Sequence, residues 1–155
     1  LLDRAFPRHV ESVRRDALGQ ETAILFIDVD QFKLVNDSYG HRVGDDVLKS
    51  IAQVLSAAVR VVAIVSRPVG YEFIIVLARS NLSDAVFIAQ RIREGIARLE
   101  LDMGIPVSVS IGIAGVKLDA FKEASEAFDD AADRADKAMY EAKIRGRNQV
   151  VAARE

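Results

Sequence analysis

The chain has 155 residues, and 50% of them are hydrophobic, which is enough for the core of one domain. Its 21 basic and 23 acidic residues nearly balance, so we expect neither a nucleic-acid-binding nor a membrane-binding surface, although phosphate groups can still be bound locally. The absence of cysteine excludes disulfides and thiolate metal sites and is typical of the cytoplasm, where thiols stay reduced. No apolar run is long enough to span a bilayer. Because the chain begins at Leu1 rather than Met, we expect residues 1–155 to be one domain of a longer, multidomain protein.

Hydrophobic periodicity in the first half of the chain predicts strand, helix and hairpin. The apolar run 23–27 predicts a buried strand, and the polar segment 36–41 that follows predicts a turn. Apolar residues over 47–58 lie on one face of a predicted helix that starts near Asp45, where negative charge suits the helix dipole. Two further strands, 61–65 and 73–77, are separated by turn residues at hairpin spacing.

The second half of the chain repeats the helix–strand order. Ser83 predicts the N-cap of a helix that continues to Leu99, and alternation over 107–113 predicts a half-buried strand. A last helix ends at Gly146, and residues 149–152 predict an edge strand. The order βαββαβ, followed by αβ, predicts an α+β fold with a ferredoxin-like core and an αβ extension.

Two carboxylates end the first predicted strand. Strand alternation places Asp28 and Asp30 on one face and Val29 on the other. Such a pair suits a hard cation beside a phosphate. It also suits solvation of the strand end or capping of the next turn, and this pair alone leaves both interpretations open.

Candidate nucleotide-binding residues follow this pair. Phe32 and Lys33 offer backbone N–H groups and a cation in a turn, which suits phosphate. Asn36 and Asp45 can read a guanine edge, because an amide can face O6 or N3 and a carboxylate can accept from N1–H and N2–H. The same two residues are also common in turns and at helix N-termini.

Two cations, Lys143 and Arg147, bracket the end of the last helix. They can neutralise phosphates, but the C-terminus of any helix attracts cations. By themselves they leave both interpretations open.

Together these segments resemble the GGDEF family, the diguanylate cyclases, whose fold is of the nucleotidyl-cyclase or palm type. The resemblance covers essentially the whole chain, and its motifs stand in the family's order. The residues that carry it are 2–6, 28–37, Gly40, His41, Gly44, Asp45, 109–112, 135–140 and 142–148.

The resemblance implies a reaction and a role for each matching residue. Active members condense two GTP molecules into cyclic di-GMP, and each subunit of a dimer presents one GTP to the other. The implied roles are Mg²⁺ binding by Asp28 and by the Val29 carbonyl, triphosphate contact by Phe32 and Lys33, guanine binding by Asn36 and Asp45, and phosphate neutralisation by Lys143 and Arg147.

The family's namesake motif is altered in this chain, where it is Val69-Gly70-Tyr71-Glu72-Phe73. Tyr71 replaces the acid that, in active relatives, ligates metal and is the favoured group for activating the attacking 3′-hydroxyl. A tyrosine lacks the negative charge that a metal site needs. Glu72 faces the opposite side of the strand, so we expect that it cannot replace the lost ligand. Gly70 keeps one of the turn glycines, whereas Val69 crowds the approach of a nucleotide.

The usual inhibitory product site of the family, Arg-x-x-Asp, is also incomplete. Here it keeps Arg60 but has Ala63 at the carboxylate position, so we expect weak or no product binding there.

These observations favour a degenerate GGDEF domain that binds GTP or cyclic di-GMP at the former active site, with a weakened Mg²⁺ site and little or no cyclase activity. Two alternatives are an active diguanylate cyclase, and a dimerisation or interaction module that binds no nucleotide. The expected partners are guanine nucleotide, a second copy of the chain, and flanking sensor or effector domains.

Overall fold

The described residues form a five-stranded sheet with helices on both faces. The computed structural model describes residues 21–59, 70–118 and 123–154, together with the backbone of residues 63–66. Their elements, in chain order, are β1 (Thr22–Val29), α1 (Phe32–Tyr39), α2 (His41–Ala58), β2 (Ala63–Ser66), β3 (Glu72–Ala78), α3 (Leu82–Ala97), β4 (Val109–Val116), α4 (Ala124–Ile144) and β5 (Val150–Ala152).

The sheet has the strand order β2-β3-β1-β4-β5. β1 is central and antiparallel to both β3 and β4, while β2 pairs antiparallel with β3. β5 adds to the outer side of β4 in parallel, as a strand reached through a crossover helix does. This topology confirms the ferredoxin-like core with an αβ extension.

Two hydrophobic clusters lie on opposite faces of the sheet. Leu25 and Ile27 of β1 join the cluster that buries α1, α2 and α3, whereas Ile24 and Phe26 join the cluster that buries α4. The alternation follows from the two-residue period of a strand. Because β1 is buried on both faces, it is apolar along most of its length, and its polar residues are confined to its ends.

The predicted turn over residues 36–41 was wrong. Residues up to Tyr39 belong to α1, and α2 already begins at His41. Phe32 and Val35 are buried one turn apart, and the polar residues that suggested a turn are mostly on the outer side of this short helix.

Other element boundaries also differ from the predictions. The N-cap of α3 is Asn81, which forms a capping box with Asp84, so Ser83 lies inside the helix. The last helix ends at Ile144, just before Gly146 with its positive φ of 124°, and the edge strand is present as β5. Residues 60–62 and 67–69 lie outside the described part of the chain. In the described part, no helix is both long and apolar enough to cross a membrane.

Candidate functional site

A cavity of about 440 Å³ opens where β1 ends. Its walls come from β1, α1, the turn before β3 and the end of α4. The lining residues are Asp28, Val29, Gln31, Phe32, Lys33, Asn36, Tyr71, Lys143 and Arg147. All of these except Gln31 are candidates from the sequence, so the fold brings together residues more than 100 positions apart.

Asp28 is the buried carboxylate of this cavity, with 4% of its surface exposed. Its Oδ2 lies 2.7 Å from Nζ of Lys143, an ion pair between β1 and α4. Its Oδ1 is buried and has no hydrogen-bond partner among the described residues. Burial raises the pKa of Asp28 above its ordinary value, although the hydrogen bond and the charge of Lys143 act in the opposite direction.

Two further acids surround this ion pair. Glu72 is directly opposite Asp28 in the β1–β3 register and therefore faces α4, as Asp28 does. Its pKa is raised by burial and by the charges of Asp28 and Asp136. The pKa of Asp136 is raised by burial and by the charge of Asp133. The charge of Lys143 lowers the pKa of both Glu72 and Asp136. Asp136 was not a candidate from the sequence, but its position two turns before Lys143 on α4 places it on the same helix face.

Tyr71 lines the cavity, whereas Glu72, the next residue in the chain, is not among its lining residues. Its ring centroid is 6.1 Å from that of Phe32, with the ring planes tilted by 34°. The Tyr71 carbonyl accepts a hydrogen bond of 3.0 Å from the Val29 N–H. Tyr71 is 39% exposed, so it is partly open to solvent. Gly70 is exposed in the preceding turn, whereas Val69 is outside the described residues.

The guanine candidates lie where α1 packs on α2. Asn36 Oδ1 is buried without a hydrogen-bond partner among the described residues, and it lies close to Gly44: a Cβ at position 44 would be 1.9 Å from it. Asp45 follows Gly44, is exposed and does not line the cavity. Its predicted position at the helix start was wrong, because α2 begins at His41.

Asp30 has a different environment from Asp28. Its carboxylate accepts hydrogen bonds from Ser108 Oγ (2.7 Å), Ser110 Oγ (2.6 Å) and the backbone N–H of Asn148 (3.0 Å). Protein donors thus surround this buried group. The interpretation that Asp28 and Asp30 together bind a hard cation therefore does not apply to Asp30. Its carboxylate connects β1 to β4 and to the loop after α4.

The acidic donors described at this cavity do not fit a pair of Mg²⁺ ions, because Asp28 is the one carboxylate among its lining residues. In the described part of the chain, no three or more Asp, Glu, His or Cys side chains are placed to share a metal ion. Asp28 offers one oxygen and is already paired with Lys143, and Tyr71 brings no charge. Arg60, which was predicted to be the remnant of an inhibitory site, lies outside the described residues.

The family assignment follows from sequence comparison. The model of the GGDEF domain, described as diguanylate cyclase, matches residues 3–149. The chain belongs to the GGDEF family. Diguanylate cyclase DgcM of Escherichia coli is 40% identical to this GGDEF domain over 138 residues, which are 88% of this chain and 32% of the relative. The chain therefore spans about a third of the length of that curated relative.

Solved structures agree with the assignment. The active GGEEF domain of a diguanylate cyclase from Vibrio cholerae is similar to this GGDEF domain with a TM-score of 0.83 and 29% identity, covering 96% of this chain and 91% of the other. The GGDEF domain of DgcB from Caulobacter crescentus, in complex with c-di-GMP, has a TM-score of 0.82 and 27% identity, covering 96% and 88%. These similarities link the domain to bacterial cyclic di-GMP signalling.

Proposed function

We propose that this GGDEF domain binds a guanine nucleotide, GTP or cyclic di-GMP, in the cavity at the end of β1 and has little or no diguanylate cyclase activity. The observation that carries the proposal is the contact of Tyr71 with Phe32 in the place of the metal-binding acid. The cations proposed for phosphate and the Asn36 side chain line this cavity, and Asp28 is the one carboxylate among its lining residues.

The cavity's cations favour phosphate. Lys33, Lys143 and Arg147 line it, and they can pair with phosphate oxygens, Arg147 through two parallel hydrogen bonds. A bound phosphate competes with Asp28 for Lys143, because the ammonium group is 2.7 Å from that carboxylate.

The base is assigned to Asn36 and Asp45. With Oδ1 of Asn36 against Gly44, the amide nitrogen is the atom left to donate to O6 or N3 of guanine. The Asp45 carboxylate then accepts from N1–H and N2–H at the open side. Cyclic di-GMP carries less charge than GTP and depends less on metal, so we expect it to bind at least as well.

Turnover is expected to fail because the transition state needs charge that Tyr71 cannot supply. Metal ions and a nearby base lower the barrier to attack by the 3′-hydroxyl. Every ~1.4 kcal/mol of lost transition-state stabilisation slows the reaction tenfold, so the loss of several kcal/mol lowers the rate by orders of magnitude.

An active diguanylate cyclase is the second candidate. Two observations favour it: the 40% identity to a protein named a diguanylate cyclase, and the position of Glu72 opposite Asp28, which keeps a second acid near the end of β1. An active cyclase requires either that Glu72 takes the role of the lost acid or that the reaction runs slowly with a single metal ion.

Calorimetric titration separates these candidates. We expect GTP and cyclic di-GMP to bind at one site per chain, with affinities that change less than about threefold when Mg²⁺ is removed. Incubation with GTP and Mg²⁺, followed by chromatography, should show no cyclic di-GMP. Product formation would establish the active cyclase, and absence of binding by both nucleotides in a folded sample would favour an interaction module.

The longer protein must be assayed as well. We propose that the domain forms homodimers and is connected to sensor or effector domains, so a domain separated from its dimerising partner can be silent for that reason alone. The cytoplasmic location stays a prediction.

A further inference from the structure

The loop between α4 and β5 has an uncommon backbone. Gly146, Arg147 and Asn148 have φ values of 124°, 64° and 47°, three consecutive residues in the left-handed region. Residues with a Cβ seldom adopt such values unless the surroundings enforce them. Contacts on both sides of Arg147 therefore have to hold this loop in place.

Two sets of contacts do so. On the α4 side, the Arg147 N–H donates to the Ala142 carbonyl at 3.0 Å. On the β5 side, the Asn148 N–H donates to Asp30 Oδ2 at 3.0 Å, and the Asn148 side chain accepts from Arg93 at 3.3 Å. Of the two contacts on the β5 side, that with Asp30 is the shorter, and it uses a carboxylate that is only 7% exposed.

Asp30 is itself fixed at the end of β1. Ser108 Oγ shares Oδ2 with the Asn148 N–H, and Ser110 Oγ donates to Oδ1. The Asp30 N–H donates to the Ser108 carbonyl at 2.9 Å. The Asp30 carboxylate thus connects β1 and β4 to Asn148, the residue directly after Arg147.

We propose that Asp30 is a positioning residue that holds Arg147 at the mouth of the nucleotide cavity and so sets its affinity for phosphate. Asp30 does not touch the nucleotide. It fixes the Asn148 amide, the Asn148 amide fixes the left-handed loop, and the loop directs Arg147 to the cavity that it lines. The inference rests on the proposed function, since it concerns the phosphate end of the same cavity.

A double-mutant cycle tests the coupling. The affinity of the domain for GTP and for cyclic di-GMP is measured by calorimetry for the original chain, Asp30→Ala, Arg147→Ala and the double variant. We expect each single substitution to weaken binding about tenfold, and Asp30→Ala to change the affinity less than about twofold when Arg147 is already absent. Losses that multiply in the double variant would show that Asp30 acts independently of Arg147 and would overturn the inference.

Ser110→Ala is the matched control. It removes a hydrogen bond from Oδ1 of the same buried carboxylate but leaves Oδ2, which holds the loop. We expect Ser110→Ala to reduce stability and to leave nucleotide affinity within about twofold, whereas an equal loss of affinity would indicate a general effect of disturbing the strand end.

Asp30→Asn keeps the cycle informative if Asp30→Ala does not fold. An amide has the shape of the carboxylate but no charge, so its oxygen accepts the Asn148 N–H more weakly, and the same non-additivity with Arg147→Ala is expected. Hydrogen exchange of the Asn148 amide should be faster in the variant, independently of any nucleotide. If the original chain binds no nucleotide, the proposed function fails together with the inference; if it binds and the cycle is additive, only the inference fails.

Discussion

At the scale of single residues, Tyr71 alters both the charge and the shape of the cavity. Its ring lies against Phe32, and Glu72, the surviving acid of the motif, faces α4 as Asp28 does but is not among the lining residues of the cavity. The cavity therefore keeps its cations, while its only buried carboxylate among the lining residues, Asp28, is paired with Lys143. Under the proposed function, a polyanion binds there without metal.

Tyr71→Glu should restore dependence on Mg²⁺. The new carboxylate joins Asp28 near the end of β1 and completes more of a hard-cation site. We expect Mg²⁺ to raise the GTP affinity of this variant by about tenfold, against less than threefold in the original chain, and cyclase activity to appear or rise. Titrations with and without Mg²⁺ measure the first effect. Tyr71→Phe, which keeps the ring contact, is the control and should behave as the original chain does. If Mg²⁺ does not change the GTP affinity of the Tyr71→Glu variant, this account of the site is contradicted.

Gly44→Ala should weaken guanine binding. A Cβ at this position would lie 1.9 Å from Oδ1 of Asn36, so the Asn36 side chain or the helix α1 must move. We expect about a tenfold loss of affinity for guanine nucleotides, measured by calorimetry. Gly95→Ala is the helix-interior control, because its Cβ meets only Val54 Cγ1 at 3.1 Å, far from the cavity. Equal affinities of Gly44→Ala and the original chain would contradict a role of Asn36 in binding.

At the scale of elements, the position of α4 determines that of Lys143. The helix lies directly on β4, since a Cβ added to Gly112 would be 1.9 Å from the Ala135 carbonyl oxygen and 2.2 Å from the Met139 nitrogen. The small residues along α4, such as Ala135 and Ala138, allow this close approach. Lys143, two turns after Asp136, then reaches Asp28.

Gly112→Ala should therefore destabilise the domain and disturb the site. Because the obstacle is helix backbone, α4 must shift as a whole, and we expect a loss of about 1–3 kcal/mol in the free energy of unfolding, measured by denaturant titration. Gly115→Ala, on the same strand, has nothing within 4 Å of its added Cβ and should change stability by less than about 0.5 kcal/mol. Similar losses in the two variants would show that the close helix–strand contact is not the cause.

The elements show which sequence patterns are reliable. β1 was predicted because a continuous apolar run indicates a buried strand, and the last helix because its apolar residues recur at helical spacing. Both patterns can be read from neighbouring residues alone. Helix α1 was missed because only Phe32 and Val35 of its eight residues are buried, and the others are polar or suggest turns. The cap at Asn81 was missed because Asn and Ser are both good caps, and only the capping box with Asp84 distinguishes them.

At the scale of the whole molecule, the resemblance predicted which residues meet, but not how they interact. Asp28, Tyr71 and Lys143 come from three distant segments, and family motifs alone joined them. The Asp28–Lys143 ion pair and the contacts of Asp30 with Ser108 and Asn148 depend on how α4 and its following loop pack on the sheet. Residue spacing along the chain contains no information on that packing.

The acids around Lys143 contribute a pH dependence of one sign to the free energy of unfolding. The pKa values of Asp28, Glu72 and Asp136 are raised in the folded state, each mainly by burial. A raised pKa means that the folded state holds the proton more tightly than the unfolded state does. These groups therefore favour folding most below their unfolded values of 3.8 to 4.5, and this contribution is lost as the pH rises through the raised values.

Glu72→Gln tests this sign. The amide keeps the size of the side chain and removes the charge that burial, Asp28 and Asp136 disfavour, so we expect the variant to be more stable than the original chain at pH 7, by about 1–2 °C in Tm. The difference should shrink as the pH falls through the raised value and then below 4.5, the ordinary value for Glu, because Glu72 is protonated in both states only below that pH. Thermal unfolding at a series of pH values measures it, with Glu100→Gln at an exposed position as the control. A Glu72→Gln variant that is less stable at pH 7 would mean that the Glu72 anion has a stabilising partner and would contradict the expected sign.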